Sequence, residues 1–303
     1  MADKTSMQRR QFMILMGVLP AAGFVAMANR NAWALESKVE VTQDSRYRYI
    51  RANGIPDHTT GSFPNRNNPN RIETQNHHFR VPLIPEIRPT AQDAGLMTIG
   101  IALNGIPFDP AANEFWKRDR NSGWRYEALS GKINLGLDQN NAHVQPNGAY
   151  HYHGLPTGLI KSWSDRQHSP LIGYAADGFP IYVLYGLDKP EKPDTEIRPL
   201  TSSYRLKSGT RNSGPGGPHD GTFVQDYHYL PQAGDLDECN GRFCITPDYP
   251  QGIYAYFLTA DYPFIPRLFR GAPDPSFHKR NGGGQQGHPP PPGGRPPKRK
   301  NRP

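Results

Sequence analysis

Short apolar runs, each ended by a glycine- or proline-rich turn, make up most of the hydrophobic pattern of this chain. The runs that predict strands lie at residues 47–50, 79–85, 97–103, 171–175, 179–185, 222–230 and 252–259. No long apolar stretch has the 3.6-residue period of a helix, and only residues 113–118, with Asn113 as the cap, predict a short one. The pattern predicts a mostly β fold, an irregular β-sandwich or barrel-like single domain with long loops.

One turn sequence occurs three times. An asparagine or aspartate, a glycine, an apolar residue and a proline follow one another at Asn53, Asn104 and Asp177. Glycine at the second position favours a turn with positive φ, and the proline keeps the following strand at a sheet edge or a bulge. We expect the three segments to share one local conformation.

Composition and charge narrow the classes of function. Glycine and proline account for 31 and 32 of the 303 residues, which is typical of a loop-rich β protein that is still long enough to bury a core. The net charge is +8, but residues 1–34 contribute +3 and residues 279–303 contribute +7, which leaves −2 for the region between them. The central region therefore lacks a basic surface for nucleic acid, and we expect no nucleic-acid partner.

The first 34 residues resemble a bacterial twin-arginine export signal. Arg9 and Arg10 precede Phe12, an interrupted apolar run extends to residue 28, and Ala32-Trp33-Ala34 offers a cleavage site after Ala34. An uncleaved membrane anchor is the alternative, although the run is shorter than the roughly 20 residues of a membrane span. The signal predicts a periplasmic or secreted protein with no transmembrane span after cleavage.

The remaining chain divides into three parts. Residues 35–95 are polar and predict an extended segment packed on the core domain, residues 96–272 form that core domain, and residues 273–303 are a basic tail rich in proline and glycine. The tail has too few apolar residues to offset the entropy lost on ordering, so we predict that it is disordered. It could contact an anionic surface of the cell envelope or merely increase solubility.

The most informative stretch is Tyr150-His151-Tyr152-His153. Because side chains alternate along an extended strand, the two histidines point to one face and the two tyrosines to the other. A turn at residues 146–148 could fold His143 back against them. Three imidazoles with an open position are the pattern of a catalytic zinc or of a copper centre. The sequence therefore predicts a copper or zinc site at His143, His151 and His153.

Other side chains could complete this site. His58 follows a tight turn and is the candidate fourth ligand, and Tyr150, Tyr152 and Asp177 are candidates to support the ligands by hydrogen bonds. Two alternatives remain open for the histidines: an acid/base or binding role without metal, and simple packing along a half-buried strand.

A second polar cluster lies nearer the carboxyl end. Asp235, Asp237 and Glu238 place carboxylate oxygens beside a glycine turn, in a loose likeness to a calcium loop. The full twelve-residue pattern is missing, so a solvated acidic turn is the alternative.

Cys239 and Cys244 are the only cysteines. In an exported protein they predict a disulfide, which would contribute only about 2 kcal/mol because it closes a short loop. A metal site with two thiolates is the alternative.

No common enzyme signature identifies a reaction. The chain lacks a G-x-S-x-G elbow, a phosphate-binding G-x-x-x-x-G-K-[ST] loop and an H-E-x-x-H helix. A metal site could serve hydrolytic or redox chemistry on a small molecule. The alternative is a non-catalytic module that binds a glycan or another cell-envelope polymer by stacking, with structural calcium at most. The candidate stacking residues are Tyr150, Tyr152, Trp163 and Tyr182.

The stretch from Gly148 to Pro156 resembles the YHYH-domain proteins, a bacterial family named after its central tetrapeptide. Further segments are similar to the family, at residues 53–58, 103–108, 177–182, 236–243, 246–250 and 252–259. The resemblance covers about residues 46–272. It implies one domain organised around these segments, and it implies no particular reaction.

Overall fold

The computed structural model of the protein describes residues 35–279. The predicted export signal at residues 1–34 and the tail from residue 280 lie outside the described residues. Within the described range the chain forms seventeen strands: β1 Val39–Gln43, β2 Tyr47–Ala52, β3 His77–Pro82, β4 Gln92–Asp93, β5 Gly100–Ala102, β6 Pro107–Phe108, β7 Ala142–Val144, β8 Tyr150–Tyr152, β9 Gly173–Ala175, β10 Pro180–Val183, β11 Tyr185–Leu187, β12 Ile197–Pro199, β13 Tyr204–Leu206, β14 Tyr227–Tyr229, β15 Gly241–Thr246, β16 Tyr249–Leu258 and β17 Leu268–Phe269.

One large sheet organises the strands. It has eight strands in the order β15-β16-β10-β9-β5-β6-β8-β7. A three-stranded sheet has the order β1-β2-β3, and three smaller sheets pair β11 with β12, β13 with β14, and β17 with β4. The large sheet has two free edges, at β15 and β7, so it is open and does not close into a barrel. The prediction of a mostly β single domain with long loops is confirmed.

At β10 and β16 the two faces of the large sheet bury different clusters of side chains. Along β16, Tyr254, Tyr256 and Leu258 belong to the main hydrophobic core, whereas Ala255 and Phe257 belong to a smaller cluster. This is the period of two expected of a strand that is buried on both faces. The tyrosines of β8 also lie in the main core, so their burial fixes which way the neighbouring histidines point.

The helix predicted at residues 113–118 is wrong in type and extent. The chain forms a single-turn 3-10 helix at Trp116–Arg118, and Lys117 and Arg118 both have positive φ, which ends the helical path at once. Asn113 does not cap it; its Oδ1 accepts a hydrogen bond from Arg120 Nη2 at 2.7 Å. Three further single-turn 3-10 helices lie at Arg120–Ser122, Val224–Asp226 and Pro275–Phe277.

The strand predicted at residues 222–230 is confirmed only at Tyr227–Tyr229. The 3-10 turn at Val224–Asp226 replaces its first half. There the carboxylate of Asp226 accepts hydrogen bonds from the backbone N–H of Phe223 and from Arg211 Nε and Nη2. This buried ion pair holds the chain in a turn, which overrides the local preference for an extended strand.

The three repeated turns do share a conformation. The glycine that follows Asn53, Asn104 or Asp177 has a positive φ in each case, between 66° and 98°. The following proline begins β6 and β10 in the second and third turns. Both strands lie inside the large sheet, so the predicted position at a sheet edge is wrong for them.

A membrane-crossing helix would need a long and apolar helical segment. Residues 35–279 contain no such helix.

Candidate metal centre

A tight hairpin brings the three histidines together. β7 and β8 are antiparallel, with His143 directly opposite His151. The turn between them is closed by a hydrogen bond from Gly148 N to Gln145 O at 2.9 Å, and Gly148 has a φ of +81°, which a residue with a Cβ rarely adopts. Directly opposed residues of an antiparallel pair present their side chains on the same face. His143, His151 and His153 therefore share one face of β7 and β8.

The Nε2 atoms of these histidines converge on one point. His153 Nε2 lies 3.0 Å from His151 Nε2 and 3.1 Å from His143 Nε2. All three candidate ligand atoms lie within 4.8 Å of one another. Zinc–nitrogen bonds of about 2.0–2.1 Å in a tetrahedron require nitrogen atoms roughly 3.3 Å apart. The three atoms are thus spaced almost as a metal ion would hold them.

Hydrogen bonds to backbone carbonyls hold two of the rings in the tautomer whose Nε2 can bind a metal ion. The Nδ1 atom of His143 donates a hydrogen bond to Leu135 O at 2.9 Å, and that of His151 donates to Ala149 O at 3.2 Å. With the proton on Nδ1, each Nε2 presents a lone pair to the centre. Nδ1–H bonds to backbone carbonyls are the usual support of metal-binding histidines.

Without a metal ion, His153 cannot donate a hydrogen bond to both His143 and His151. A proton on its Nε2 can be donated to only one of the two facing lone pairs, and its buried Nδ1 has no hydrogen-bond partner among the described residues. Buried lone pairs that face each other are unfavourable. A metal ion would accept all three lone pairs at once. The residues therefore fit a metal ion, and the nitrogen ligands suit copper or zinc.

Burial keeps these imidazoles neutral. His151 and His153 are only 3% and 1% exposed, and burial lowers the pKa of each well below the usual 6.5. Burial also lowers the pKa of His143, against a smaller opposing effect of the hydrogen bond to Leu135. Since only the neutral imidazole binds a metal, protons compete weakly at neutral pH.

The triad borders two cavities of about 690 Å³ and 740 Å³. His143 and His153 line the first cavity, and His151, Gln145 and Lys279 line both. A ligand that enters the first cavity would therefore meet all three histidines.

The tyrosines and His58 lie on the opposite face of β8. Tyr152 is fully buried, and its hydroxyl is 2.6 Å from His58 Nε2 and accepts from Asn104 Nδ2 at 3.0 Å. Tyr150 donates to Asp138 Oδ2 at 2.7 Å. The structure therefore does not bring His58 to the triad, and neither tyrosine supports the ligands by a hydrogen bond. The physical reason is the strand alternation that aims the histidines away from the tyrosines.

Asp177 is likewise used elsewhere. Its Oδ2 accepts hydrogen bonds from Tyr256 Oη at 2.5 Å and from Gly271 N at 2.8 Å. Those bonds fix the turn between β9 and β10 rather than an imidazole.

Arginines already neutralise the acidic cluster. Arg198 binds Asp235 with two nitrogen atoms, at 2.6 Å and 3.0 Å. Arg270 Nη2 lies 2.6 Å from Asp237 Oδ2 and 2.8 Å from Glu238 Oε1. The guanidinium groups already supply the positive charge that a calcium ion would bring. This arrangement therefore favours ion pairing over calcium binding.

The predicted disulfide is wrong. Both cysteines are free and buried, and they lie in different clusters: Cys239 in the main core and Cys244 in the smaller one. The two side chains therefore pack in different parts of the core and are not bonded to each other. Burial raises the pKa of Cys239 to about 12 and that of Cys244 to about 11, so neither is a reactive thiolate or a ready metal ligand at neutral pH.

The polymer-stacking surface is also not formed. Tyr150, Tyr152 and Tyr182 are fully buried, and the ring of Trp163 packs against Tyr185 with centroids 5.1 Å apart. A stacking platform requires exposed ring faces.

Three residues beside the triad were missed by sequence reasoning: Asp109, Gln145 and Lys279. Gln145 follows β7 by one residue and could have been found from its spacing of two from His143. Asp109 and Lys279 are brought in by sheet pairing and by the chain end, which no local pattern reveals.

Comparison with known proteins identifies the family. The sequence model described as "YHYH protein" matches residues 78–271, well over half of the chain, and this range contains all three histidines and the β7–β8 hairpin. No curated protein and no solved structure is significantly similar to the chain. The chain therefore belongs to the YHYH protein family.

Proposed function

We propose that this YHYH protein binds one copper or zinc ion through His143, His151 and His153. The observation that carries the proposal is the convergence of three neutral imidazoles, with ligand atoms within 4.8 Å of one another; His151 and His153 are buried and His143 is half-buried. Two Nδ1–carbonyl hydrogen bonds hold the rings in place, so little ordering is needed on binding. Such preorganisation favours a tightly bound ion over weak, non-specific binding.

The two metals imply different chemistry. A zinc ion with an open coordination position activates water as a nucleophile near neutral pH, whereas copper exchanges one electron. The adjoining cavity of about 690 Å³ leaves room for a small molecule next to the triad. A hydrolytic or redox reaction in this cavity is therefore the activity to seek.

The proposed site of action is the bacterial periplasm or the exterior. The support is the sequence of residues 1–34, with Arg9-Arg10 ahead of an apolar run and Ala32-Trp33-Ala34 at its end. The twin-arginine route exports folded proteins, which is compatible with loading a metal before export. The seven basic residues of positions 279–303 would attract the tail to anionic envelope surfaces.

A non-catalytic envelope-binding module is the other candidate. It has less support, because the tyrosines that would stack on a polymer are buried. It would still be compatible with a polar ligand bound in one of the cavities.

Elemental analysis of the mature protein, purified from the periplasm without a histidine tag, tests the proposal. We expect about one equivalent of copper or zinc in the wild type and almost none in His151→Ala or His153→Ala. His228→Ala is a matched control, because His228 is exposed and also lies between two tyrosines, Tyr227 and Tyr229. Absence of metal from a folded wild type, or equal metal in all variants, would overturn the proposal.

A further inference from the structure

A buried carboxylate lies on the same face of the sheet as the triad. Asp109 directly follows β6, which runs parallel to β8 with Phe108 opposite Tyr152. The hydrogen bond from Asp109 N to Tyr152 O at 2.9 Å continues this pairing. Phe108 and Tyr152 pack on one face, with ring centroids 5.6 Å apart, so the next residue, Asp109, faces the other side. Three adjacent strands, β6, β8 and β7, therefore present Asp109 and the three histidines together.

The two oxygens of Asp109 have different surroundings. Oδ2 accepts hydrogen bonds from Lys279 Nζ at 2.6 Å and from Gln145 Nε2 at 3.1 Å. Oδ1 is buried and has no hydrogen-bond partner among the described residues. Burial raises the pKa of Asp109, and the charge of Lys279 and the backbone amide of Ala111 oppose that rise. A buried carboxylate oxygen without a donor is costly, so this oxygen is available to a further partner.

The side chain of Lys279 can move out into solvent, whereas that of Asp109 cannot. The side chain of Asp109 is 2% exposed, whereas that of Lys279 is 34% exposed and reaches in from the surface. Lys279 lines both cavities beside the triad. An ammonium group that withdraws from this place regains its hydration, but the carboxylate cannot do so and needs another cation.

The charges of the site favour the replacement of the Lys279 ammonium group by a metal ion. The triad itself is neutral, and Asp109 and Lys279 cancel each other. The positive charge of Lys279 further lowers the pKa of His151 and His153, although burial is the main cause. A charge that opposes a proton on these rings also opposes a metal ion bound to them.

We infer that Asp109 is the anionic partner of the metal site and that Lys279 is a resident cation which the metal ion displaces. This inference rests on the proposed metal site. When a divalent ion binds to the triad, Lys279 leaves Asp109 for solvent, and the carboxylate then balances the charge of the metal. Metal occupancy therefore determines whether Lys279 is held against the domain.

Zinc affinity measured by competition with a chromogenic chelator at pH 7.5 tests the exchange. Asp109→Asn should weaken binding by about 10- to 100-fold, the usual effect of losing a supporting group of a metal site. Lys279→Met keeps the apolar stem and should tighten binding by about tenfold, because a competing charge is removed. Lys161→Met, which removes an exposed lysine near His58, is the matched control and should leave the affinity unchanged.

Acetylation of lysines in the wild-type chain, read by mass spectrometry, follows the same exchange without a mutation. Labelling of Lys279 should rise when zinc is added, whereas labelling of Lys161 should not. Unchanged labelling of Lys279, or equal zinc affinities for Asp109→Asn, Lys279→Met and the wild type, would overturn this inference and leave the metal site standing. A wild type that binds no metal would overturn both proposals.

Discussion

The Nε2 atoms of His151 and His153 lie 3.0 Å apart, with one residue between them, at the point where β8 ends. The strand alternation aims both rings to one side, and Tyr152 between them points into the core on the other side. One short segment thus provides two ligands and the anchor that orients them. The opposed residue of β7, His143, completes the set.

Replacing His58 tests whether the two faces of β8 have separate roles, one in stability and one in metal binding. His58→Ala removes the 2.6 Å contact with the Tyr152 hydroxyl, which keeps its bond from Asn104. We expect the free energy of unfolding to fall by about 1 kcal/mol and the metal content to stay at the wild-type value. Urea unfolding and elemental analysis measure the two effects. Loss of metal in this variant would show that His58 reaches the ion after all.

The stability of the metal-free protein should decrease in acid because of the triad. Burial holds the pKa of His153 well below 6.5, so below about pH 6.5 the unfolded state takes up a proton that the folded state does not. The free energy of unfolding should therefore fall as the pH is lowered from about 6.5 towards the folded-state pKa. The slope is up to about 1.4 kcal/mol per pH unit for each such histidine.

His153→Gln isolates this contribution from that of the carboxyl groups. Glutamine does not titrate, so urea unfolding between pH 7.5 and 5.5 should show a shallower decline in the variant than in the wild type. Parallel curves would mean that His153 is not buried as a neutral ring.

The cysteines should behave as two inert, reduced thiols. Their burial and raised pKa values slow the attack of a thiol reagent. Ellman's reagent should label no cysteine of the native protein and two after denaturation, and a reductant should leave the Tm unchanged. An intact mass lower by two hydrogens, with a Tm that falls on reduction, would support the disulfide instead.

Calcium should not stabilise the wild type, because Arg270 neutralises Asp237 and Glu238. Arg270→Met leaves these partly exposed carboxylates without their counter-charge and should lower the free energy of unfolding by about 1–2 kcal/mol. Calcium should then raise the Tm of this variant more than that of the wild type. An increase of the wild-type Tm by calcium that EGTA reverses would contradict the ion-pair assignment.

The sequence predicts most of the triad but little of what surrounds it. His143, His151 and His153 lie within eleven residues, so strand alternation and one turn suffice to bring them together. Asp109 is far from them in sequence and becomes a neighbour only because β6 pairs with β8. Arg198 and Arg270 reach the acidic cluster through similar long-range packing. Local sequence patterns do not predict such long-range contacts.

The disulfide prediction failed for a more local reason. Cys239 and Cys244 are separated by an odd number of positions, and β15 begins between them at Gly241. Only Cys244 lies on this strand, and the chain turns between the two cysteines at Asn240, which has a positive φ. The predicted export signal favoured pairing, but each cysteine is buried in a different hydrophobic cluster.

A crystal structure of the protein grown with zinc or copper tests the central claim most directly, with anomalous diffraction recorded above and below the absorption edge of that metal. We predict one anomalous peak within about 2.0–2.1 Å of the Nε2 atoms of His143, His151 and His153. A fully ordered triad without a peak, or a peak bound only to His58 or to the carboxylates of Asp235 and Asp237, would contradict the account.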